Sequence, residues 1–342
     1  MNKTLRMARS GVLIGYLAIS STALAHHGIG AQFDLSASVE LQGELERVIW
    51  RNPHVRLTVR VPGDAGGVEL WEVEAQSVSM LRQRDITEVL LEAGDTIRLA
   101  GNPAHGGATE IYLTNVLLPD GREVLFSQSA EPRWNHEAMG RTGPRFVSEG
   151  DASAPEFGLF RAWSPTLGPR IFSDISFDNP VLTEQARLAA EAYDPLIDNL
   201  ATGECTPKSM PGIVGNPYPR DFVDQGETIL LRFEEYDTVR TIHMGDVAPG
   251  MASILGHSVG EWADGTLVVT TTNFSVGTFR LGIQLSEELK VLERFTPGAD
   301  GSRLNYQLTL TDPAAFVEPI ELESYWIYIP GLTVEPYQCL EG

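Results

Sequence analysis

Seven histidines and two cysteines carry most of the chemistry this sequence can do. His26 and His27 follow Ala23-Leu24-Ala25, a small-x-small cleavage signal. Cleavage after Ala25 gives His26 a free α-amine beside its imidazole, and those two nitrogens can chelate one Cu(II). His27 adds a second imidazole. His54, next to Pro53 at the start of a strand, supplies another. Nitrogen-rich sets suit copper, which heads the divalent affinity order. The plain alternative is a solvated tail and a hydrogen-bonded turn histidine.

His243 and His257 fall on neighbouring predicted strands, with Tyr236, Arg240 and Glu234 close by. Gathered in a barrel lumen, these groups would orient a ligand or move a proton near neutral pH. The alternative is a pair of structural histidines. Gly256-His257-Ser258-Val259-Gly260 matches G-x-S-x-G in letters. A nucleophile elbow needs strand, sharp turn and helix, and here a strand pattern runs on, so the match is read as coincidence. Neighbouring acidic residues such as Glu234 and Glu235 point to opposite strand faces and make poor acid/base pairs. P-loop, dinucleotide fingerprint, H-E-x-x-H and EF-hand motifs are absent from the sequence.

The elements that must position these groups are mostly strands. Lys3, Arg6 and Arg9 precede an apolar run, Gly11 to Ile19, too short to span a bilayer, so residues 1–25 read as a signal peptide and 26–38 as a tail. Over 39–126 apolar and polar residues alternate in five strands, with a helical stretch between the third and fourth. That is the order of an OB-like five-stranded barrel. Residues 127–218 are irregular, apart from one helix over 183–193 opened by Thr183 and stopped by Asp194-Pro195. From 219 to 342 strand patterns return with hairpin turns at Ala263-Asp264-Gly265 and Gly298-Ala299-Asp300-Gly301. They predict an antiparallel, lipocalin-like β-barrel, a kind that often holds a small apolar ligand. The fold class is therefore mainly β with little helix.

Composition bounds the partners. The formal net charge of −21 repels phosphate backbones, which argues against nucleic acid. Beyond the short run from Gly11 to Ile19, no second apolar stretch of the sequence approaches the length of a membrane span. Export to an oxidising compartment predicts a Cys205–Cys339 disulfide. Closing so long a loop is worth about 4–5 kcal/mol in the chain-entropy picture.

Ala25-His26-His27, Leu41-Gln42-Gly43, Trp50-Arg51-Asn52-Pro53-His54-Val55, Gly94-Asp95-Thr96-Ile97 and Leu118-Pro119-Asp120-Gly121-Arg122 together resemble exported bacterial proteins of the domain-of-unknown-function family 6152. The C-terminal half, with Thr241-Ile242-His243-Met244 and Thr266-Leu267-Val268-Val269, resembles a second uncharacterised exported β-rich block. The resemblance implies export and two β domains, and no activity. The expectation is a periplasmic or secreted binding protein, taking copper at the His26 end, a small apolar molecule in the second barrel, or both. The alternatives are an enzyme using His243 and His257 as acid/base groups, and a protein–protein interaction module.

Overall fold

Strand-forming alternation gives two successive β-barrels. The computed structural model describes residues 29–63, 66–86, 90–140, 158–165, 171–172, 181–194, 205–275, 277–279 and 282–339. The signal-peptide segment, His26 and His27 lie outside them.

A single helical turn, α1 (Ile29–Gln32), leads into the first barrel. Its strands are β1 (Val39–Ile49), β2 (Arg56–Pro62), β3 (Val68–Glu74), β4 (Thr96–Pro103) and β5 (Glu110–Leu117). They pair in the order β3-β2-β1-β4-β5, and a parallel β3–β5 contact closes the ring. Between β3 and β4 sits α2 (Val78–Arg82), N-capped by the Ser77 side chain. This is the OB-like arrangement expected from the strand and helix order. Leu45, Leu57, Val59, Val73, Ile97, Leu99, Ile111 and Leu113 fill its interior. A short β6 (Glu123–Leu125) folds back on β5.

The second barrel has nine strands, more than the seven or eight the sequence patterns suggest. The additions come from the irregular region and its border: β7 (Ala162–Ser164) and β8 (Arg220–Asp224). Then follow β9 (Thr228–Phe233), β10 (Thr238–His243), β11 (His257–Ala263) and β12 (Thr266–Thr272). A small separate hairpin, β13 (Gly277–Thr278) and β14 (Gln284–Leu285), intervenes. The barrel resumes with β15 (Lys290–Pro297), β16 (Arg303–Thr311) and β17 (Ile320–Tyr328). Around the ring the order is β10-β11-β12-β15-β16-β17-β7-β8-β9. The predicted helix is α3 (Glu184–Ala192), with Thr183 accepting from the Ala186 N–H.

The expectation of a purely antiparallel barrel needs one correction. A closed ring with an odd number of strands cannot alternate direction throughout. The mismatch falls at β10 and β11, which run parallel. Their overlap is only two residue pairs, Ile242 with Ser258 and His243 with Val259. β11 starts level with the end of β10, so the connecting loop returns to the level it left and needs no crossover along the strands.

Candidate functional site

The first barrel presents one polar face where the chain enters it. Phe33 is buried against Tyr112, ring centroids 5.7 Å apart, and bridges to Ala104. That anchors α1. The Gln32 side-chain amide donates to Glu110 Oε1 at 2.8 Å, and His105 Nε2 lies 3.3 Å from the Gly30 carbonyl. A carbonyl only accepts, so Nε2 is the protonated nitrogen there. The parallel register sets Glu72 beside Glu110 and Glu74 beside Tyr112. Burial raises the Glu110 pKa. Gln32 opposes this, and the like charges of Glu74 and Glu72 add to it.

His54 joins the same neighbourhood through Glu74. Its Nδ1 is 3.1 Å from the Ala75 carbonyl and 3.3 Å from Glu74 Oε1. Among the described residues, no three His, Cys, Asp or Glu side chains converge as a ready-made metal set. The face is acidic and imidazole-bearing, and it is incomplete by itself.

Asn52, two residues before His54, does something sequence reasoning missed. It is buried and donates to the Tyr337 carbonyl at 2.8 Å and to Ser79 Oγ at 3.1 Å. The Trp-Arg-Asn-Pro-His stretch therefore joins the first barrel to the C-terminal strap. Tyr337 in turn donates its N–H to Asp237 and packs on Tyr236 and Tyr218. Two residues on, Cys339 is bonded to Cys205 as expected. Arg82 of α2 pairs with Glu234 at 2.5 Å. Burial raises the Glu234 pKa, with Ser79 and Arg82 pulling the other way.

Of the groups expected to meet in the lumen of the second barrel, His243 and His257 do come together, but on its outer face and apart from Arg240, Glu234 and Tyr236. Thr238, Arg240 and Ile242 point inward, while Val239, Thr241 and His243 point outward. Ser258 is inward and His257 outward. Glu234 and Tyr236 belong to the strap contacts. The barrel wall thus separates the histidines from Arg240, and no acid/base constellation is assembled from this set.

The lumen is occupied by the chain itself. Phe222, Phe295, Tyr306 and Trp326 pack with centroids 5.0–6.3 Å apart. Arg220 lies over Trp326 and Phe233 and donates to the carbonyls of Val214, Asn216 and Tyr218. Burial brings its pKa down to about 10. Arg240 Nη2 meets Glu293 Oε2 at 2.5 Å and Thr271 at 2.6 Å, and its Nε donates to Ser258 at 2.9 Å. The Tyr306 hydroxyl donates to the other Glu293 oxygen at 2.8 Å. The volume expected to hold an apolar ligand holds aromatic rings and a satisfied ion pair.

Ser258 is therefore a buried structural hydroxyl. The G-x-S-x-G glycines have packing reasons. Gly256 has φ +70° and faces Phe274 and Thr271; a Cβ on Gly260 would lie 2.7 Å from Ile242. The strand runs straight through.

Residues 15–112 match the model of a family described as a family of unknown function, DUF6152. The match covers under a third of the chain and takes in the chain entrance and most of the first barrel. No curated protein matches the chain. Among the described residues, no helix is long and apolar enough to cross a membrane.

Proposed function

We propose that this chain is an exported copper-binding protein whose main site forms where its N-terminal tail meets the first barrel. Cleavage after Ala25 leaves the His26 amine and imidazole as a chelating pair and His27 as a further donor. A Cys205–Cys339 disulfide is what a periplasmic or extracellular compartment favours.

One observation carries this reading. The chain enters the fold on the face that holds His105, Glu110, Glu74 and His54. His27 is two residues before Ile29 and His26 three, so the tail spans at most about 7–11 Å from that anchor. A cation bound on that face would relieve the mutual repulsion of Glu110, Glu74 and Glu72. His54 is the imidazole candidate from the sequence, and His105 is a second one added by the fold.

The test is Cu(II) titration of the mature chain starting at His26 against the same chain carrying His26→Ala and His27→Ala. The expected result is loss of the tightest site in the double variant, with a smaller loss in His54→Ala. Equal affinities in the first two proteins overturn the proposal.

A further inference from the structure

We infer that His243 and His257 form a second metal site, separate from the tail, that takes a divalent late transition metal with copper(II) favoured. The parallel β10–β11 register sets Ile242 beside Ser258 and His243 beside Val259. Ile242 and Ser258 point into the barrel, so His243 and His257 share the outer face. Their rings stack with centroids 5.0 Å apart and planes 29° apart.

The stacking brings the two rings within reach of one ion, and one of them is oriented. His257 Nε2 is 2.9 Å from the Val247 carbonyl, so Nε2 carries a hydrogen and Nδ1 is the nitrogen left to face a metal ion. A backbone carbonyl holding the other ring N–H is the usual support of a metal-ligating histidine. The loop supplying that carbonyl is itself fixed. Asn273 Nδ2 donates to the Gly250 carbonyl at 3.0 Å, and the Met210 N–H donates to the Ile254 carbonyl at 2.9 Å. His243 is half-buried, and its ring makes no side-chain hydrogen bond or ion pair among the described residues. Two close imidazoles, one oriented and one unengaged, are a nitrogen pair that copper(II) favours over other divalent ions. The net charge of −21 raises the local concentration of cations. Among the described residues no third His, Cys, Asp or Glu converges here, so water would complete the coordination shell of a bound ion.

The experiment uses the full mature chain carrying His26→Ala and His27→Ala, so that the tail chelate is removed and the two proposals are read apart. Copper(II) alone is titrated, followed by calorimetry and by nitrogen splitting in the electron paramagnetic resonance spectrum. One remaining site with two coupled imidazole nitrogens is expected. His243→Gln and His257→Gln should each weaken it by about tenfold or more while leaving the metal-free melting temperature unchanged. Should either variant fail to fold, Val259→His, on the same outer face beside His243, should tighten binding. The inference is overturned if the protein lacking the tail chelate binds no copper, if folded variants bind as the parent does, or if Val259→His brings no gain.

Discussion

Glu293 is the residue whose removal should cost the second barrel most. It is fully buried, Arg240 is 1% exposed, and one carboxylate serves both the Arg240 guanidinium and the Tyr306 hydroxyl. Glu293→Gln keeps the shape and removes the charge. Arg240 is then a buried cation with no anionic partner among the described residues, left with Ser258, Thr271, the Met210 sulfur and a neutral amide. Breaking a buried pair from one side costs about 3–5 kcal/mol. For a unit of this size that lowers the melting temperature by roughly 6–20 °C. Trp163 and Trp326 are buried in the same core, so near-ultraviolet circular dichroism reports on this barrel. Adding Arg240→Met to Glu293→Gln removes the stranded charge, and the double variant should recover most of the loss, because an apolar replacement of a buried pair is close to neutral. A loss under about 1 kcal/mol in Glu293→Gln, or strictly additive losses in the double variant, refutes the account.

Two further outcomes follow from buried titratable groups. Glu123 accepts from the backbone N–H groups of Arg133, Trp134 and Asn135 and from the Asn115 amide; burial raises its pKa, these four donors outweigh it, and the net is a lowered value. Its contribution is present above the unfolded carboxylate pKa and lost as pH falls through the lowered one, so Glu123→Gln should cost about 1.5–3 kcal/mol at neutral pH, little in strong acid, and speed amide exchange at residues 133–135. Burial raises the pKa of Tyr218 to about 12 and lifts Tyr112, Tyr306 and Tyr337 as well. Their stabilisation is complete below the unfolded tyrosine pKa and fades as pH climbs from about 10 towards the folded values. For the chain cleaved after Ala25, which lacks Tyr16, phenolate absorbance at about pH 11 should therefore show these four of the eight remaining tyrosines silent until the chain unfolds, and eight ionising together in the folded protein would contradict the burial assigned to them.

Much of the architecture was legible because alternation is a local signal. Val55, Leu57 and Val59 announce one face of β2, and Thr183 announces α3. Parity along β10 already separated His243 from Arg240, so a lumen site containing both required side chains from opposite faces of one strand. The apolar parity of β15, Val291 and Phe295, has Glu293 between them, and that was a readable sign of a buried partner for Arg240. Other features had no local signature. β7 is three residues long, below the length at which periodicity shows. The Asn52–Tyr337 bond joins positions 285 apart. The parallel β10–β11 junction follows from counting strands around a closed ring, which needs all nine, and the adjacency of His243 and His257 on one outer face depends on it.

The placement of β7 bears on the order in which this chain can fold. It lies between β17 and β8 in the ring, yet it precedes them in sequence, so the ring stays open until residues 320–328 arrive. A first barrel finished by residue 126 can form while the rest is still being delivered, since N-terminal units fold first. The second has to wait for nearly the whole chain and then make its most distant pairings, which slows closure. Until then its apolar strand faces stand open beside unpaired edges, the condition in which chains aggregate. Loss of a short C-terminal piece should therefore damage this protein out of proportion to its length, by leaving a ring that never shuts.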